Sequence, residues 1–130
     1  MSFNHVIVWL DHAEAHLIRF NPEVAQNEVI KSPSTQPHLH IKSGLHGLQH
    51  GGRTPESAAY LNEIAIALKE PLEILIVGPG VEKLVLVKHL MKHQHDVAEK
   101  IVGVETVDHP TDGQLLAYAR KYFVKADRLR

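Results

Sequence analysis

Glu73–Val77 (EILIV) is a nearly unbroken apolar run of strand length, bounded by Pro71 on one side and Gly78-Pro79-Gly80 on the other. A run this short and this apolar reads as a buried central strand. The rest of the chain must then supply its neighbours. Upstream, His5–Leu10 (HVIVWL) is rich in β-branched and aromatic residues and reads as a strand. Asp11 to Glu14 make a tight connection, Ala15–Phe20 (AHLIRF) alternates as a second strand, and Asn21-Pro22 breaks it. Asn27–Lys31 (NEVIK) completes an antiparallel meander. Downstream, a helix from about Val81 to His93 follows the glycine turn, with Leu84, Val87 and Met91 at helical spacing. Ile101–Val107 (IVGVETV) is a fifth strand.

Two further helices complete the order. Thr54-Pro55 is a helix start, with Thr as N-cap and Pro at the first helical position. Leu61, Ile64, Ala65 and Leu68 then form one apolar face, and Pro71 ends the helix. Thr111-Asp112-Gly113-Gln114 matches a capping box. Beyond it Leu115, Ala119, Tyr122, Phe123 and Ala126 mark the buried side of the last helix. The expected fold is α/β: one mixed five-stranded sheet, an antiparallel meander and then two parallel strands, with about three helices packed on it. Residues 1–130 are expected to form a single domain, with a long His/Gly-rich loop at 32–54.

Several function classes are disfavoured by composition. With no cysteine there is neither a disulfide framework nor a thiolate metal site, which fits the cytoplasm. No secretory leader pattern is visible, and no apolar stretch approaches the roughly 20 residues of a membrane span. A formal net charge of −1 gives no global attraction to nucleic acid, so any such binding must come from local charge. Exposed strand edges in the meander would allow homo-oligomerisation by strand pairing.

Local charge is where the loop stands out. No acidic residue occurs between Glu28 and Glu56, whereas Lys31, Lys42, Arg53, His38, His40, His46 and His50 all fall there. The stretch ends in Gly51-Gly52-Arg53-Thr54 directly before a helix N-terminus. Glycines expose backbone N–H groups, the first helical turn leaves its own unpaired, and the macrodipole adds about half a positive charge. Phosphate is favoured at such a place. The expected anion- or RNA-binding set is His50, Gly51, Gly52, Arg53 and Thr54, with Lys42 and Lys83, and it needs no cofactor. The alternative is a small metal-dependent hydrolase or metal-binding protein in which His38, His40, His46 and His50 hold Zn or Ni. The positive charge of the loop opposes a cation, which puts phosphate first.

Other clusters read more plainly. Lys88, His89, Lys92, His93 and His95 look like a solvated helix end, and the basic residues from Arg120 onward complement a helix dipole. Asp11-His12 and Asp108-His109 sit at strand ends, but adjacent residues point apart and make no ready dyad. Asp11, Asp108 and Asp112 would be the set for a divalent-metal nuclease. There is no G-x-S-x-G and no P-loop lysine pattern.

Taken in order, His50-Gly51-Gly52-Arg53, Tyr60–Leu68, Ile74–Leu90 (ILIVGPGVEKLVLVKHL) and Asp108–Gln114 (DHPTDGQ) carry a family resemblance. The chain resembles the central domain of the archaeo-eukaryotic class I peptide release factors and of the Pelota surveillance proteins, and most closely their small bacterial stand-alone relatives. That resemblance implies a ribonuclease-H-like, translational-machinery-component fold and an RNA or ribosome partner. In release factors the loop reads Gly-Gly-Gln, and the glutamine helps hydrolyse the peptidyl-tRNA ester. Here Arg53 stands at that place. Arginine has no acceptor with which to orient water, but it binds phosphate well. The expectation is therefore a binding module without peptidyl-tRNA hydrolase activity.

Overall fold

A computed structural model describes residues 3–32 and 55–128 of the chain. Three strands come first: β1 (His5–Leu10), β2 (Glu14–Phe20) and β3 (Ala25–Lys31). They pair antiparallel in sequence order, with His5 opposite Phe20 and Glu14 opposite Lys31. Side chains set both hairpins. Asp11 accepts the Ala13 and Glu14 amides at 2.8 and 2.9 Å. Asn21 accepts those of Glu23 and Val24 at 2.9 and 2.7 Å. Short acidic and amide side chains close turns in this way. The second turn also explains why β3 starts at Ala25 rather than at the predicted Asn27: the Asn21 amide already bonds the Val24 carbonyl at 3.0 Å, so pairing begins at once.

After residue 54 the chain alternates. Helix α1 (Pro55–Ala67) leads to β4 (Glu73–Gly78), α2 (Glu82–His93), the short α3 (His95–Ala98), β5 (Ile101–Thr106) and α4 (Asp112–Arg128). Strand β4 lies parallel to β1 on one side and to β5 on the other, so the sheet order is β3-β2-β1-β4-β5. The mixed five-stranded α/β sheet anticipated from sequence is present. It carries four helices among the described residues rather than about three, because His95–Ala98 forms an extra turn that buries Val97. None of the helices is long and apolar enough to cross a membrane, among the described residues.

The apolar run of β4 lies where it was expected. Ile74 and Ile76 face one side of the sheet together with Val6, Val8 and Leu10, and meet Leu61, Ile64, Leu86 and Leu90 of the first two helices and Leu68 just beyond α1. Leu75 and Val77 face the other side with Ile7 and Trp9, and meet Leu115, Ala119 and Phe123 of α4. Removing each such Leu or Ile from water contributes about 1.5–3 kcal/mol. The close approach of β4 to β1 needs Gly78, where a Cβ would overlap the Leu10 carbonyl oxygen.

Two expectations are corrected. The sheet-facing side of α2 is Lys83, Leu86, His89 and Leu90, while Leu84 and Met91 are exposed. Apolar residues surround much of this helix, so spacing could not choose its rotation. Nor does His89 belong to a solvated end: it is buried, and its Nε2 lies 2.8 Å from Asn62 Oδ1 on α1.

Candidate functional site

The carboxyl ends of β1, β4 and β5 lie along one edge of the sheet, and α1 runs antiparallel to β1. Its first turns sit at that edge, where the Tyr60 hydroxyl donates to the Asp11 carbonyl at 3.0 Å. Its last turn sits at the opposite edge, where Arg19 Nη2 donates to the Ala67 carbonyl at 2.9 Å. Strand β3 also ends at the carboxyl edge, since the Ser32 amide bonds the Ala13 carbonyl at 2.8 Å. The residues flanking the stretch 33–54 therefore both belong to one edge of the sheet, although they come from different elements.

Most of the predicted site falls inside that stretch. Lys42, His50, Gly51, Gly52, Arg53 and Thr54, and the metal candidates His38, His40, His46 and His50, lie outside the described residues. Lys83 is described. It sits in the first turn of α2, nearly buried, and its ammonium donates to the Gly80 carbonyl.

Around the same edge the structure gathers residues that the sequence reading left apart. A hollow of about 370 Å³ is lined by Asp11, His12, Pro79, Gly80, Glu82 and His109. A neighbouring hollow of about 180 Å³ is lined by Trp9, Glu14, His16, Pro110 and Asp112, again with His109. His109 is thus their common wall, and its ring packs 5.1 Å from that of Trp9. The Trp9 indole N–H donates to the Asp108 carbonyl at 2.6 Å, pinning the segment between β5 and α4. His16 is held from both sides: Nδ1 lies 3.1 Å from Asp112 Oδ1, and Nε2 bonds the Glu14 carboxylate. Glu14-x-His16 and Trp9 were missed from sequence. The available signal was period two along β2, which puts residues 14 and 16 on one face.

The aspartates of the nuclease reading are engaged separately. Asp11 accepts turn amides, Asp112 reaches His16 and Asn27, and the Asp108 side chain is 93% exposed. Among the described residues, no three histidines or acids converge as a metal centre would require. The pair Asp108 and His109 stands 3.9 Å apart with both side chains in water, so it forms no catalytic dyad.

Electrostatically the described part of the edge is acidic, through Asp11, Glu14, Glu82, Asp108 and Asp112. Burial raises the Tyr60 phenol above its ordinary range, and the charges of Asp11, Glu82 and Glu14 add to the rise.

No protein-family model and no curated protein matches the chain. Solved structures do. A Pelota protein from Thermoplasma acidophilum matches 95% of this chain at 21% identity and a TM-score of 0.61. Archaeoglobus fulgidus Pelota matches 90% at 12% identity and a TM-score of 0.62. The archaeal translation termination factor aRF1 matches 83% at 11% identity and a TM-score of 0.52. The chain spans about a third of each: 32%, 30% and 31%. The resemblance read from the Gly-Gly-Arg loop and the motifs after it holds at the level of fold: this chain has the fold of a segment, about a third in length, of Pelota and archaeal release-factor chains.

Proposed function

We propose that the chain is an RNA- or ribosome-associated binding module of the translation machinery, acting in the cytoplasm without peptidyl-tRNA hydrolase activity. The observation that carries this reading is the fold likeness to Pelota across 95% of the chain. The relatives' own roles support it: aRF1 is a translation termination factor, and yeast Dom34, matched over 78% of this chain, is a termination-like factor involved in RNA quality control. Topology adds a second support. Ser32 and the start of α1 lie at one sheet edge, so the Lys- and Arg-bearing stretch between them leaves from and returns to that edge.

Arg53, with His50, Gly51, Gly52 and Thr54, would engage phosphate, and Lys42 would add charge. Arg53 offers five donors and no acceptor, so it binds an anion and does not activate water. The test is co-sedimentation with ribosomes over a series of salt concentrations, next to a peptidyl-tRNA release assay. Binding is expected at low salt, falling steeply as salt rises. Arg53→Ala is expected to weaken binding and to lower the slope of log K against log salt by about 1. Absence of binding at low salt, indifference to Arg53→Ala, or release of peptide would each refute the reading.

A further inference from the structure

Strand β5 is the outermost strand on its side of the sheet, and α4 packs behind it. Tyr122 of α4 reaches the strand: its hydroxyl donates to the Val102 carbonyl at 3.5 Å. Gly103 leaves room for that, since a Cβ there would overlap the Tyr122 hydroxyl. The Phe123 ring meets the Tyr122 ring in a T-shaped contact at 5.8 Å. Tyr122 is therefore held by the strand and by the core. Tyr118, one helical turn earlier, stacks on this ring, with 6.4 Å between centroids and 25° between planes. Tyr118 is 36% exposed. An aromatic ring thus stands partly in water, with its orientation set by a neighbour that is itself fixed.

Two cations share the stripe. Lys121 and Lys125 are exposed, and at i+3 and i+7 from Tyr118 they lie on the same side of the helix. Among the described residues neither is in an ion pair. The chain from Arg120 onward holds Arg120, Lys121, Lys125, Arg128 and Arg130 against Asp127 alone. The helix dipole accounts for Lys125, which lies in the last turn. It does not account for Lys121, about two turns before the end of α4 at Arg128, because the effect fades within one turn. Nor does it account for an exposed ring in line with both. Glu105, exposed on β5, is the acid of this surface, and its charge acts on the Tyr118 phenol.

We propose that this stripe is a contact for single-stranded RNA, with one base stacked on Tyr118 and backbone phosphates on Lys121 and Lys125. Every base has a flat face, so a fixed ring beside a row of cations holds a single strand without reading its sequence. A duplex keeps its bases stacked inside and has none to offer the ring. An acidic protein segment would satisfy the lysines and leave the ring unused. The inference rests on the RNA-binding reading above and adds a second surface to it. That surface lies on the far side of the sheet from β3, the strand that precedes residues 33–54, so its variants and Arg53→Ala are read separately.

Fluorescence anisotropy of a labelled octauridylate with the full chain tests the assignment. Saturable binding is expected at low salt. Tyr118→Ala is expected to weaken it at least about fivefold, the lower limit for one lost base stack. Lys121→Gln and Lys125→Gln are each expected to lower the slope of log K against log salt by about 0.7. Unlabelled octauridylate is expected to displace the probe about fivefold better than the same strand in a duplex, or than poly-glutamate, neither of which offers a base to the ring. Absence of binding at low salt, full binding by Tyr118→Ala, an unchanged salt slope in both lysine variants, or equal competition by poly-glutamate overturns the inference. Binding lost in Arg53→Ala and kept in Tyr118→Ala refutes this contact and leaves the earlier reading standing. If Tyr118→Ala loses its cooperative thermal transition, Tyr118→Leu decides instead. It keeps an apolar contact with Tyr122 at i+4 without the flat ring, so weakened binding supports the contact and unchanged binding overturns it.

Discussion

Tyr60 ties the start of α1 to the end of β1 through one hydroxyl on the Asp11 carbonyl. Its burial has a consequence for alkaline stability. In the unfolded chain the phenol ionises near its ordinary value of 10.0, while in the fold that value is raised, first by burial and then by Asp11, Glu82 and Glu14. The folded state therefore keeps its proton when the unfolded state has lost it. Stability from this residue is complete below about pH 10 and falls above it by about 1.4 kcal/mol per pH unit. Tyr60→Phe is expected to cost about 1 kcal/mol at neutral pH through the lost hydrogen bond and to flatten the alkaline decline. Urea unfolding at neutral and alkaline pH measures both. Tyr118 is raised in the same direction, by burial and by Glu105 and Tyr122, and acts with the same sign.

At the scale of single elements, α4 shows how far local chemistry reaches. The capping box is made as its residues imply: the Thr111 amide bonds Gln114 Oε1 at 2.9 Å, and the Gln114 amide bonds Thr111 Oγ1 at 3.1 Å. Thr111→Ala is expected to destabilise the fold by about 1 kcal/mol and to loosen the Asp112 end of the His16 contact, which thermal unfolding and the His16 ring NMR signals would report. Helix α2 shows the opposite case. Its apolar residues nearly encircle it, so periodicity selected Leu84, Val87 and Met91 while the structure buries Leu86 and Leu90. The turn at Gly78–Val81 and the position of β4 set the rotation, and neither is a property of the helix itself.

Across the whole molecule, charge is unevenly distributed along the chain, and described acids gather at one edge of the sheet. The stretch from Val29 to Pro55 carries no acid, yet its described flanks lie at the edge that holds Asp11 and Glu14, through Lys31 opposite Glu14 and Tyr60 on the Asp11 carbonyl, with Glu82, Asp108 and Asp112 at the same edge. On the proposed function those carboxylates oppose an approaching polyanion. The Asp108 side chain is 93% exposed, so it can be neutralised without disturbing the core. Asp108→Asn is expected to raise ribosome affinity about twofold at low salt, the effect of one unit charge at roughly 8 Å in water. The gain should vanish as salt shortens the Debye length, and the same co-sedimentation series measures it.

The sequence by itself determined the order of the five strands and of three of the four described helices, the capping box of α4 and the buried face of α1, because each rests on residues within a few positions of one another. It also marked the acid-free approach to Arg53, a local property of charge. Only the tertiary structure decided which face α2 buries, that Trp9, Glu14, His16 and His109 line one hollow, and that Arg120 reaches back to the Asn21 carbonyl. Those facts depend on contacts such as His16 with Asp112, or Arg120 with Asn21, between residues nearly a hundred positions apart. Spacing along a chain carries no information about partners that meet only when the sheet closes.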